Sequence, residues 1–144
     1  MKVYIKTKVK PTENKNKVIK AVKNIFPNIK LEGKKEEELI ILEGETSNLN
    51  KFKEMIRRQA ILDTARMILE ENLRGNSTTF YLNKQAAYVN NINFDIDTHG
   101  GIFVKIVADE NEDIKKIIKD IAPRTKHGKI IVEEDEEEGE IFEQ

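Results

Sequence analysis

The chain predicts an α+β fold, a largely antiparallel sheet with helices packed on one face and one long central helix. Three observations carry this expectation. Val3, Ile5, Thr7 and Val9 alternate with Lys2, Tyr4, Lys6, Lys8 and Lys10, which is the pattern of a half-buried strand with a basic outer face. Ile92, Phe94 and Ile96 alternate in the same way, as do Ile102, Val104 and Ile106, and the Gly100-Gly101 pair between them reads as a hairpin turn. Elsewhere the apolar residues recur at helical spacing, most clearly in 12–26, 48–74 and 110–121.

Taken in order, Pro11 closes the first strand and Thr12 is placed to cap a helix running to about Phe26, with Val18, Val22, Ile25 and Phe26 as its core stripe. Pro27 ends it. Residues 29–31 read as a short strand, Gly33 as a turn, 39–42 as a buried strand and Gly44 as its exit. Ser47 can cap the central helix, expected from Asn48 to Arg74 with Gly75 as its left-handed stop and a length of roughly 40 Å if unbroken. Beyond Ala60 this helix carries Ile61, Ala65 and Ile68 opposite its main stripe, so it is apolar nearly all round, and a homodimer is expected to cover it. Thr78–Leu82 form a strand, and Asn83 caps a short helix over 84–89. After the hairpin, Ile114, Ile117, Ile118 and Ile121 face inward from a last helix that Pro123 stops, and 129–132 add a short strand. The expected organisation is one α+β domain over 1–132, with 133–144 an acidic, disordered tail. There is no internal repeat and no Gly/Ser linker.

Composition narrows the function classes. With 38% hydrophobic and 35% charged residues, and no apolar run near the ~18 residues that a helical membrane span needs, the chain is expected to stay in water. No signal-peptide segment follows Met1, so the cytoplasm is the expected location. The absence of cysteine removes disulfides, thiolate metal sites and cysteine nucleophiles. No glycine-rich phosphate loop or nucleophile elbow occurs, so neither catalysis nor a cofactor is expected. Net charge is −1, yet residues 1–35 hold eleven Lys against Glu13 and Glu32, while 133–144 hold eight acids and no base. A basic head of this kind suits an anionic partner, or an electrostatic contact with the acidic tail.

The central helix places Gln59, Asp63 and Arg66 on its own apolar face, beside Phe52, Met55, Ile56, Leu62, Leu69 and Leu73. Burial without partners is costly, so the three are expected to form one bonded structural cluster at i,i+4 and i,i+3, unless they make a recognition site. For RNA, the strand face Lys2, Tyr4, Lys6, Lys8 and Lys10 offers an aromatic among cations, the chemistry that stacks a base and holds its phosphates. The same lysines could instead protect an exposed sheet edge. Arg57, Arg58 and Lys84 would extend an RNA surface, and Arg74 is a further candidate. Asp95, Asp97 and His99 share one strand phase and could meet at a metal ion, although alternating polarity is what any half-buried hairpin shows, so no metal site is expected. His127 reads as a loop residue.

The segment from Arg57 through Gln59, Asp63 and Arg66, followed by Phe80-Tyr81-Leu82-Asn83-Lys84-Gln85-Ala86-Ala87, resembles an archaeal uncharacterised-protein family described as a predicted RNA-binding exosome subunit. The resemblance implies a fold like that of the ribosomal protein that binds five-S RNA, a cytoplasmic setting and homodimers. It supplies no catalytic residues and no role for the acidic tail. Together these readings favour a non-enzymatic RNA-binding protein, accessory to RNA processing or decay, with RNA, a second copy of the chain and exosome proteins as expected partners. The alternative is a homodimeric interaction module that never touches nucleic acid.

Overall fold

The computed structural model describes residues 1–95 and 100–133. Strand β1 (Lys2–Val9) leads to α1 (Lys15–Ile25), the hairpin β2 (Glu32–Glu36) and β3 (Leu39–Thr46), then α2 (Asn50–Arg58), α3 (Leu62–Glu71), β4 (Ser77–Leu82), α4 (Lys84–Tyr88), β5 (Phe94–Asp95), β6 (Ile102–Val107), α5 (Ile114–Ile121) and a small hairpin of β7 (Thr125–Lys126) and β8 (Lys129–Ile130). The first six strands form one sheet in the order β2-β3-β1-β6-β4-β5, antiparallel at every pairing. The expected α+β architecture holds.

The helices cover one face of this sheet. Val3 and Ile5 of β1, Phe80 and Leu82 of β4, and Val104 and Ile106 of β6 are buried with Val22 and Ile25 of α1, Phe52, Met55 and Ile56 of α2, Leu69 of α3 and Ile118 of α5. Phe52 stacks on Phe80 at 5.3 Å between ring centroids, and Phe94 meets Phe80 edge-on at 5.7 Å. Such pairs add ~0.5–1.5 kcal/mol each beyond the area they bury.

The long central helix is two helices. Ala60 takes a left-handed φ of 58°, Ala60 N–H donates to the Arg57 carbonyl at 3.1 Å, and Ile61 N–H donates to the Ile56 carbonyl at 3.0 Å. Those are the paired bonds of a Schellman stop, with alanine where glycine is usual. The sequence carries no glycine to announce the break, and apolar periodicity runs straight through it. The turn also redirects α3: Ala65 is fully buried, and Ile61 and Ile68 pack half-buried against the chain's own core. Of the three residues that motivated a dimer, one is thus buried and two are half-buried within a single chain.

Other differences have local causes. Asn14, not Thr12, caps α1 by accepting from Lys17 N–H. Gly33 lies inside β2, and the turn falls at Glu37, which adopts a φ of 56°. Gly44 is interior to β3, because the 29–30 segment crosses so closely that a Cβ there would sit 2.6 Å from the Lys30 carbonyl oxygen. Ser47 does not cap α2, whose N-cap is Leu49. The described part of the Ile92–Ile106 hairpin also pairs differently: β5 joins β4, with Tyr81 opposite Asp95, while β6 inserts between β4 and β1. Two alternating runs around a Gly-Gly pair signal two strands, but their pairing depends on the whole sheet. Residues 96–99 and 134–144, which include Asp97, His99 and most of the acidic run, lie outside the described residues.

Candidate nucleic-acid interface

Because β1 lies in the middle of the sheet, its lysines guard no edge. Edge protection is the work of β2, whose exposed Glu32, Lys34, Lys35 and Glu36 ward off a further strand. The outer face of β1 looks out from the side of the sheet that the helices leave bare. Antiparallel register then fixes its neighbours. Tyr4 stands opposite Lys105 on β6, and Lys105 opposite Thr79 on β4. One row along, Lys6 stands opposite Phe103, and Phe103 opposite Tyr81. The Tyr81 and Phe103 rings are 5.3 Å apart and tilted by 50°. Tyr4 is 40% exposed, while Phe103 and Tyr81 are half-buried.

Charge on this bare face is asymmetric. Toward β3 and β2 it becomes acidic, with Glu45 opposite Tyr4, Glu43 opposite Lys6 and Glu32 opposite Glu43. Toward β6 and β4 it is basic and aromatic, as far as Asp95 of β5, which stands opposite Tyr81. Lys6 reaches Glu43 at 3.6 Å, but both side chains are more than half exposed, so the pair is weak and screened. Lys8 forms no ion pair among the described residues.

Where β1 passes beyond Lys6 it leaves β6, and two side chains close the gap from below. Thr7 Oγ1 donates to the Gly101 carbonyl at 3.2 Å. Lys84, only 9% exposed, donates its ammonium to the Lys8 carbonyl and to both Glu13 oxygens, at 3.1 and 3.2 Å. Glu13 is partly desolvated, which opposes its ionisation, but hydrogen bonds from Lys10 N–H and from Lys84 outweigh this and lower its pKa. Lys84 thus fixes the frame under the bare face and is not part of the exposed surface.

The other residues singled out by the sequence are likewise occupied inside the protein. Arg57 donates to the Lys53, Asp120 and Ile121 carbonyls, closing the C-terminal end of α5, and Arg58 donates to Asn90 O at 3.1 Å. Arg74 donates to Glu71 O and Leu73 O. Both arginines of α2 therefore belong to the helical layer, away from the lysine face. Gln59, Asp63 and Arg66 are not one cluster, because the Ala60 turn separates the first from the others. Gln59 makes a two-way amide clasp on Ile92, donating at 2.9 Å and accepting at 2.7 Å. Asp63 is exposed and accepts from Thr125 N–H and Oγ1 at 3.0 and 2.9 Å. Arg66, 6% exposed, donates to Ala122 O, to Glu70 and in a fork to both oxygens of Glu133 at 2.7 and 2.8 Å. Burial works against its charge, but the carboxylate bonds prevail and raise its pKa; those bonds in turn lower that of Glu133. Among the described residues, no three His, Asp or Glu side chains gather as a metal site.

A family model described as RNA binding matches residues 2–108, a span that contains all six strands of the main sheet and both sides of its bare face. A UPF0201 protein of Methanocaldococcus jannaschii is 64% identical over 139 residues, covering 96% of this chain and 82% of the relative. The chain belongs to the UPF0201 family. A UPF0201 protein of Pyrococcus horikoshii is 40% identical over 130 residues, covering 88% of this chain and 92% of the relative. The crystal structure of a UPF0201 protein from Methanococcus jannaschii superposes with a TM-score of 0.88 at 64% identity, covering 92% of this chain and all of that one. No helix among the described residues is long and apolar enough to cross a membrane. Phe103, Lys105 and Tyr81 are the surface residues that sequence reasoning missed. Their outward strand phase was legible, but their place beside β1 required the strand order.

Proposed function

We propose that this protein is a non-enzymatic binder of single-stranded RNA, and that the bare face of its sheet is the binding surface. One observation carries the reading: the central strand sets Lys2, Tyr4, Lys6 and Lys8 beside Lys105, Phe103 and Tyr81 on a face that no described helix covers. Aromatic rings on an open sheet can stack on bases only when those bases are unpaired, and lysines between them attract the connecting phosphates. The match of residues 2–108 to the RNA-binding family supports the same reading. The resemblance carried by the Arg57–Arg66 and Phe80–Ala87 segments supports extending it to an accessory role in RNA processing or decay, in the cytoplasm. The face is complete in one chain, so a homodimer is not required for binding.

The test is fluorescence anisotropy at low salt with a labelled single-stranded RNA and a duplex of the same length. The expected result is tighter binding of the single strand. Equal or stronger binding of the duplex would overturn the stacking role, and binding of neither would overturn RNA as the ligand.

A further inference from the structure

Between β1, β6 and β4 the bare face is not flat. A pocket of about 310 Å³ opens where β1 leaves β6, walled by Lys6, Lys8, Tyr81, Phe103 and the Gly100-Gly101 backbone. That volume is at the lower end of small-molecule sites, which run from ~300 to ~1,000 Å³, so it suits one small residue of a ligand and not a longer segment. Its chemistry is divided. Tyr81 and Phe103 supply an aromatic wall, and their 50° tilt keeps the two rings from closing flat on each other. Lys6 and Lys8 supply cations at the rim. Among the described residues, Lys6 is held only by its exposed contact with Glu43, and Lys8 has no ion-pair partner. On the glycine side the Lys10 ammonium lies close, 3.5 Å from where a Gly100 Cβ would stand.

The pocket is also built to persist. Continuing the β1–β6 ladder past the Lys6–Phe103 pair would close it, but the groups needed for that continuation are engaged elsewhere. The Lys8 carbonyl is held by the buried Lys84 ammonium, and the Gly101 carbonyl by Thr7 Oγ1. Glu13 balances the Lys84 charge, so the buried ammonium is paired and the parted strands are stable. An aromatic wall and two cations in a one-residue cavity match a planar heterocycle joined to a phosphate.

We infer that this pocket binds a single nucleotide, its base against Tyr81 and Phe103 and its phosphate at Lys6 and Lys8, and so anchors one position of a bound RNA strand. This inference rests on the RNA reading above and adds a discrete site to it. A nucleoside monophosphate should occupy the pocket without the rest of the strand.

The full chain, labelled with ¹⁵N, is titrated with adenosine monophosphate, uridine monophosphate, ribose 5-phosphate and inorganic phosphate, and single-stranded RNA affinity is measured in parallel. The expected result is that the nucleotides shift the Gly100, Gly101 and Phe103 amides, and that the two base-free probes do so at least several-fold more weakly. Phe103→Leu should weaken nucleotide binding about tenfold, as loss of a stacked base does. Tyr81→Leu provides a second variant should Phe103→Leu fail to fold. If inorganic phosphate shifts the same amides as strongly, the base site is refuted and only an anion site is left. If RNA binds but no nucleotide reaches these amides, or if neither folded variant affects nucleotide binding, the pocket is refuted and the RNA reading stands. If neither RNA nor nucleotide binds, both fall together.

Discussion

The two faces of the sheet use their polar side chains in opposite ways. In the helical layer and beneath the sheet, Gln59 clasps Ile92, Arg66 grips Glu133, Arg57 closes the end of α5 and Lys84 holds β1 apart from β6. Each of these donors is bonded within the chain. On the bare face, Lys8 and the Tyr81–Phe103 wall are exposed or half-buried without such engagement among the described residues, where Lys6 has only a solvated ion pair. Conspicuous polar residues on an apolar helix therefore build the scaffold, while an ordinary alternating strand supplies the surface. A buried polar group requires a partner to offset desolvation, whereas a solvated lysine does not and is left able to meet a ligand.

The strongest way to break this comparison is through Lys84. In Lys84→Ala the Lys8 carbonyl loses its side-chain donor and the Glu13 carboxylate keeps only the Lys10 N–H among the described donors, with an expected cost of about 3–5 kcal/mol, read as a lower denaturant midpoint. A variant that unfolds at the wild-type midpoint would show that Lys84 does not maintain the strand separation. Gln59→Leu comes next, since it strips two hydrogen bonds from the Ile92 backbone, and about 1–3 kcal/mol is expected. Amide exchange at Ile92 should rise in the same variant. Asp63→Ala is milder, at roughly 1 kcal/mol, because Asp63 is exposed and, among the described residues, holds only Thr125. A cost in Asp63→Ala equal to that of Lys84→Ala would revive the single buried cluster expected from sequence.

Acid probes the same internal bonds. Glu13 and Glu133 titrate below the ordinary carboxylate range, so their contribution is fully present above the unfolded value of about 4.3. It is lost as pH falls through their lower folded values. Thermal unfolding below that point should show reduced stability, and Glu13→Gln should reduce the acid dependence. An unchanged acid profile in Glu13→Gln would exclude Glu13 from that linkage.

The sequence made the outward phase of β1 legible, since alternation over eight residues leaves one register that buries Val3, Ile5, Thr7 and Val9. The cap at Asn83 and the inward stripe of α5 were legible for the same reason, because short-range chemistry decides them. Three features were hidden. The Ala60 stop uses a residue that favours helix, so no local signal marks it. The insertion of β6 between β1 and β4 is set by global pairing, and without it Phe103 and Tyr81 could not be placed beside Lys6. The partners of Arg66 and Gln59 come from residues distant in sequence, which i,i+3 and i,i+4 reasoning cannot reach.

The central claim is that ligand-directed charge lies on the bare face and not in the helical layer. Its most direct test is the salt dependence of single-stranded RNA binding in two folded double variants, Lys6→Gln/Lys8→Gln and Arg57→Gln/Arg58→Gln. The lysine pair should lower the magnitude of the log–log slope by about 1.4, at about 0.7 per lost phosphate contact, and the arginine pair should leave the slope at its wild-type value. A slope unaffected by the lysine pair, or reduced as much by the arginine pair, would contradict the division between the two faces.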